Sequence, residues 1–153
     1  MKNLLLLVAF LLFTAAECSK KKYRFPADAT IEMSKTGCYG RCPIYDIKID
    51  GKGNVFFSGK RFVNKEGERK KQLSAEATNN LFKAFIDSNF WNFEDEYTEN
   101  VSDLPTTYLS LSNGGKSKKV TDYYGAPDAL KRLEKLVENV ANSDGWVRGG
   151  VNQ

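Results

Sequence analysis

Apolar and polar residues alternate with period two in several short stretches, the pattern of strands with one buried face. Thr30 to Lys35 places Ile31 and Met33 between polar neighbours. Ile44 to Asp50 puts Tyr45, Ile47 and Ile49 on one face and Asp46 and Lys48 on the other. Asp50-Gly51-Lys52-Gly53 is a hairpin turn, and Asn54 to Gly59 is the returning strand. Lys60 to Gln72 predicts a further, strongly charged hairpin about Asn64 to Gly67. Thr107 to Ser112 and Lys116 to Tyr123 form another pair, joined at Asn113-Gly114-Gly115.

Between and after these pairs the period changes to that of a helix. Ser74 can accept hydrogen bonds from free amides in the first turn of a helix. That helix carries Ala77, Leu81, Phe82, Ala84 and Phe85 on one side. A second begins after Gly125, with Pro127 in its first turn, where a missing amide costs nothing. Its expected apolar stripe is Leu130, Leu133, Leu136, Val137 and Val140. Each helix has one apolar stripe and the strand connections are short. The pattern therefore predicts an α+β domain of two layers, an antiparallel sheet with both helices packed on one face.

The first residues read differently. Lys2 precedes an apolar run from Leu4 to Phe13, and Thr14, Ala15 and Ala16 are small. This is the layout of a secretory signal peptide over residues 1–17. The run is shorter than the roughly 20 residues of a membrane-spanning helix. Cys18 follows at the point where a bacterial lipoprotein carries its acylated cysteine, and the segment resembles such a signal. Glu17 departs from the small residue usual before that cysteine. The alternative is cleavage after Ala16, giving a soluble periplasmic or secreted protein. Residues 18–29 read as a basic tether with Lys20, Lys21, Lys22 and Arg24, residues 30–146 as the globular domain and residues 147–153 as a C-terminal tail.

Composition narrows the chemistry. The 153-residue chain contains no His. Ser-His-Asp and Cys-His catalysis are excluded, as is the commonest transition-metal ligand. A general base would have to be Asp, Glu, Lys, Tyr or a thiolate. No catalytic motif, cofactor site or metal site is recognisable. Glu94, Asp95 and Glu96 are consecutive acids, but they lack the spacing of a calcium loop. Trp91, Tyr123 and Tyr124 could stack on a sugar, although core or sheet positions explain such aromatics more simply.

Three cysteines remain to be placed. With Cys18 taken by lipid, Cys38 and Cys42 are left as a pair. Four residues apart in a strand they could not meet, but the turn Tyr39-Gly40-Arg41 brings them within bonding range. In an exported protein a structural disulfide is expected. Its small loop limits the entropic gain to below the ~3 kcal/mol of a 15-residue loop. A redox pair is usually separated by two residues at a helix N-terminus, and a zinc site needs four ligands. The run Gly37-Cys38-Tyr39-Gly40-Arg41-Cys42-Pro43-Ile44-Tyr45, with Asp50-Gly51 and Gly53 downstream, is similar to an uncharacterised bacterial domain family. The signature of that family is Gly-Cys-aromatic-Gly-x-Cys-Pro-x-Tyr. Asp103-Leu104-Pro105-Thr106 and the closing helix extend the resemblance to about residues 30–146. It implies an exported or lipid-anchored fold unit and brings no activity or catalytic residue with it.

Charge is segregated along the chain. Lys60, Arg61, Lys65, Arg69, Lys70 and Lys71 stand against Glu66 and Glu68, whereas residues 87–103 are acidic without a single Lys or Arg. Lys60, Arg61, Arg69, Lys70 and Lys71 are the candidate anion-binding patch, unless the acidic segment folds over them. The sequence as a whole suggests a lipid-anchored domain of the bacterial cell envelope, non-enzymatic, that binds or scaffolds another component. The expected partners are the membrane, through the N-terminal lipid, and an envelope protein or anionic polymer. Nucleic acid is not expected. A carboxylate-based exported hydrolase and a secreted enzyme inhibitor are the alternatives. A buried pair of carboxylates in a cleft would favour the hydrolase.

Overall fold

The computed structural model describes residues 22–149. Residues 1–17, read from the sequence as a signal peptide, and Cys18 lie outside the described residues. Every expected strand forms: β1 (Thr30–Lys35), β2 (Ile44–Asp50), β3 (Asn54–Arg61), β4 (Gly67–Gln72), β6 (Thr107–Asn113) and β7 (Lys116–Asp122). Two short strands complete the sheet. β5 (Glu96–Tyr97) arises within the acidic loop, and β8 (Val147–Arg148) within the expected tail. The eight strands are ordered β5-β7-β6-β1-β2-β3-β4-β8 in one sheet. It is antiparallel except at one edge, where β5 runs parallel to β7, Glu96 beside Thr121 and Tyr97 beside Asp122. The parallel pair arises because the chain leaving the first helix returns along β7 in the direction that strand already runs.

Alternation fixes which face is buried. Ile31, Met33, Ile47, Ile49, Val55, Leu109, Leu111 and Val120 are all at most 2% exposed. Their neighbours in sequence, such as Glu32, Lys48, Phe56 and Lys119, face water. Helix α1 (Ala75–Asp87) is capped by Ser74, whose side chain accepts from the Ala77 amide. It brings Leu81, Phe82 and Phe85 into the same core, and Thr78 is buried while Ala77 is exposed. A short 3-10 turn at Phe90–Asn92 adds Phe90, whose ring lies 5.2 Å from that of Phe85. Helix α2 (Asp128–Asn142) buries Leu130, Leu133, Val137 and Ala141. The stripe differs from the expected one. Leu136 is 39% exposed, while Glu134, one turn beyond Leu130, is buried.

The chain before β1 packs at one end of the strands. Tyr23 donates to the Leu73 carbonyl, and the Gly51 amide donates to Ala29. A Cβ on Gly51 would meet the Pro26 carbonyl oxygen at 1.9 Å, so glycine is what lets this segment lie against the β2–β3 turn. The other end of the strands carries Lys35, the Cys38–Cys42 turn and the loop between β3 and β4.

The packing makes a sharp contrast between neighbouring residues of α2. Leu133→Asp would bury a carboxylate without a partner and should destabilise on the order of 4 kcal/mol. Exposed Arg132, changed to Asp, should cost within about 0.5 kcal/mol. Urea unfolding of the two variants distinguishes them; equal midpoints would contradict this helix phase.

Candidate functional site

At the end of the sheet remote from Tyr23 and Gly51, three pieces of backbone converge. The first is the turn closed by Cys38–Cys42, whose Cα atoms lie 5.7 Å apart. Pro43 follows it, and the pairing with β3 shifts at Ile44/Tyr45. The second is the loop from Phe62 to Glu66. It folds down against β3 because residue 59 is glycine: a Cβ there would meet the Lys65 carbonyl oxygen at 2.0 Å. Phe62 begins this loop with φ 54°, in the left-handed region that a bulky side chain rarely adopts. The third is the C-terminal half of α2.

Together they enclose a pocket of about 240 Å³. Pro43, Tyr45, Phe57, Phe62, Val63 and Ala141 supply apolar lining, and Lys35, Asn64, Lys65, Glu138 and Asn142 supply polar lining. The rings of Tyr45 and Phe57 lie 5.2 Å apart, and Trp146 lies 5.3 Å beyond Phe57. Lys35 forms a hydrogen-bonded ion pair with Glu138. Burial alone would raise the Glu138 pKa; the hydrogen bond and charge of Lys35, aided by Lys135, outweigh it and hold the carboxyl below its usual range. The buried Tyr45 phenol is pushed in the opposite sense to an easy ionisation, raised by desolvation and then by Glu138 and Glu134.

A second polar group lies along the same helix. Lys131 forms an ion pair with Asp122, the last residue of β7. Asp122 and Glu134 are 2% and 6% exposed. Asp122 Oδ1 and Glu134 Oε1 are both buried and receive no hydrogen bond from an amide, hydroxyl or ammonium group among the described residues. A proton on Glu134 supplies a donor that this arrangement otherwise lacks. Burial, then the hydrogen bond and charge of Asp122, push the Glu134 pKa up to about 8. The pair is chemically suited to hold a proton, but neither carboxyl lines the pocket. α2 therefore crosses the sheet on polar anchors: Lys131 at β7, Glu138 at β1, and Lys71 of β4, which donates to the Val140 carbonyl at 2.6 Å.

The basic hairpin is where the sequence places it, but its charges divide between faces. Lys60 and Lys70 point to the exposed face, Lys60 paired with Asp46 at 2.6 Å. Arg69 and Lys71 alternate to the other face. There Lys71 lies 4.2 Å from the centre of the Trp146 ring, and desolvation, followed by the charge of Lys65, lowers its pKa to about 8. Arg61 lies over Phe62. The acidic segment does not cover this hairpin. It runs along β7 at the opposite edge, where Asp95 pairs with Lys118 at 2.6 Å. Of the candidate aromatics, Trp91 packs against the core, Tyr123 donates to the Val101 carbonyl and Tyr124 is exposed.

Sequence reading singled out the Cys-Pro-x-Tyr run but not the partners that make it a pocket. Phe62, Val63 and Glu138 come from distant segments, and no local pattern marks them. Glu134 did leave a signal, an acid set among apolar residues at helical spacing. Domain of unknown function (DUF6438) matches the chain over residues 29–141, and the chain belongs to that uncharacterised family. No curated protein matches it.

The buried Glu134 carboxyl makes stability depend on pH. Its folded pKa lies above the unfolded value of 4.5, so its contribution is complete below pH 4.5 and is lost as pH rises through about 8. Urea unfolding of the wild type should lose stability across that window. Glu134→Gln keeps a donor toward Asp122 and should flatten the decline. Lys71 acts in the opposite sense between pH 8 and 10.5, where stability is regained. A wild-type profile that rises between pH 5 and 8 would contradict a buried, protonated Glu134.

Proposed function

We propose, since membership of this family brings no activity with it, that the protein is a non-enzymatic binding module of the cell envelope, anchored by lipid on Cys18. The observation that carries the reading is the pocket between the disulfide turn, the Phe62–Glu66 loop and α2. Pro43 and Tyr45 of the Gly-Cys-Tyr-Gly-Arg-Cys-Pro-Ile-Tyr run both line it. We take that run as the family's signature and the pocket as what the signature builds. The disulfide braces one wall of it.

The hydrolase reading is weaker. A buried carboxyl pair exists, as that reading requires, but Asp122 and Glu134 are sealed beneath α2 rather than open to the pocket. A substrate in the pocket would meet Glu138, whose charge is engaged by Lys35. The inhibitor reading has the exposed Tyr39 tip in its favour and no enzyme to oppose it.

Position supports display toward a partner. The described chain begins beside Leu73 and Gly51, at one end of the strands, and the pocket lies at the other. β1 and β2 have 6 and 7 residues, so the two ends are separated by about 20 Å at ~3.3 Å per residue. A lipid on Cys18 would hold the near end at the membrane and turn the pocket away from it. Both helices covering one sheet face, as a second layer, leaves the other face as ordinary solvated surface in this reading.

Two measurements test the reading. Metabolic labelling with an alkyne fatty acid should mark the wild type and not Cys18→Ser; equal labelling removes the anchor. A photo-crosslinking residue at Asn64 should yield discrete adducts in intact cells, whereas one at Lys52, at the opposite end, should not. Adducts from Lys52 alone would place the binding surface elsewhere.

A further inference from the structure

The mouth of the pocket has a composition that identifies the kind of ligand it fits. Arg41, on the disulfide turn, and Arg61, at the end of β3, both hold their guanidinium groups over the Phe62 ring, at 5.4 and 4.8 Å from its centre. Both are exposed, and among the described residues both are engaged by a ring and neither pairs with a carboxylate. Lys65 adds a third cation on the pocket lining itself. Tyr39, at the tip of the braced turn, is 93% exposed, and Phe62 is 37% exposed despite its unfavourable backbone angle. A bulky ring held partly in water at such a backbone angle, as at Phe62, is not explained by core packing. Tyr and Arg together are the residues that dominate protein–protein binding energy. The pocket, at about 240 Å³, is smaller than the ≈300–1,000 Å³ of sites that enclose a whole drug-sized ligand. It fits one apolar side chain of something larger.

Resting on the pocket as the binding site, we infer that its partner is an acidic peptide segment of another protein. One apolar side chain enters between Tyr45, Phe57 and Val63. Flanking carboxylates meet Arg41, Arg61 and Lys65. Arginine suits this role because its planar fork takes a carboxylate in two hydrogen bonds while its face remains stacked on the ring. Lys35 does not compete for the same carboxylates, since Glu138 already occupies it. The loop's own acid, Glu66, is exposed and leaves the three cations in excess.

Selection of random peptides displayed on phage against the folded, oxidised protein tests this. The enriched sequences should share an apolar residue flanked by Asp or Glu. Their Kd should weaken at least about tenfold, or ~1.4 kcal/mol, with Arg41→Glu/Arg61→Glu and again with Val63→Trp, which fills the pocket. Lys65→Glu provides a third variant should Val63→Trp fail to fold, as judged by its melting temperature. Peptides that depend on Val63 but carry no acidic bias would overturn the acidic partner and leave the binding pocket standing. Peptides indifferent to every variant would overturn both. Tighter binding to phosphatidylglycerol vesicles or to an anionic polysaccharide, with the same dependence on the two arginines, would also overturn the inference and assign the cations to a membrane or polymer.

Discussion

The structure depends on a single apolar face of the sheet. Residues of β1, β2, β3, β6 and β7 contribute to it at every second position, and the apolar stripes of both helices join them in one cluster. Burying an aliphatic or aromatic side chain contributes about 1.5–3 kcal/mol, so the eight nearly inaccessible strand residues outweigh any charged interaction in the molecule. Register follows from the same face. A slip of one residue in β2 would send Tyr45, Ile47 and Ile49 into water and draw Asp46 and Lys48 inward, so strand pairing has one acceptable solution. The charged hairpin of β3 and β4 can sit at the edge because Val55 and Phe57 hold it there from within.

Once register is fixed, the ends of the strands acquire different characters. At one end Gly51 admits the chain that leads back toward the N-terminus. At the other, Gly59 admits the loop that closes the pocket. Both depend on the absence of a single carbon atom. The polar residues of α2 then align the helix over the sheet through Lys131, Glu138 and the Lys71 cap. None of these contacts rivals the core in energy, because taking Asp122 and Glu138 out of water offsets much of the attraction in their ion pairs. Their effect is directional, because an apolar stripe alone would tolerate sliding and rotation of the helix. Glu134 is the least favourable element of this arrangement, a carboxyl kept out of water that remains acceptable only while it holds a proton.

The fold is largely legible in the sequence because the long strands alternate cleanly and most turns carry Gly, Asn or Asp where the backbone needs it, with Phe62 the exception. The cysteine pair was legible for the same local reason. The stripe expected on the second helix is right at Leu130, Leu133 and Val137 and wrong at its flank, where Leu136 and Val140 are apolar and Glu134 is not; the helix buries the acid beside Asp122 of β7 and exposes Leu136. The parallel contact of β5 has no local sign, since two residues of an acidic loop do not announce a strand. The pocket was hidden for a related reason. Its lining comes from β1, the disulfide turn, β2, β3, the 62–66 loop and α2, and only tertiary packing brings Phe62 beside Arg41 or Glu138 beside Lys35.

In the proposed function, a lipid on Cys18 and the pocket would act at opposite ends of the strands. This separation is tested most directly by spin labels placed at Lys52 and at Tyr39 in the full lipidated chain bound to vesicles. A label at Lys52 should lie close to the bilayer surface, while one at Tyr39 should be freely relaxed by a water-soluble paramagnet and untouched by a lipid-soluble one. The reverse pattern would bring the disulfide turn and its pocket down onto the membrane and refute the proposed separation.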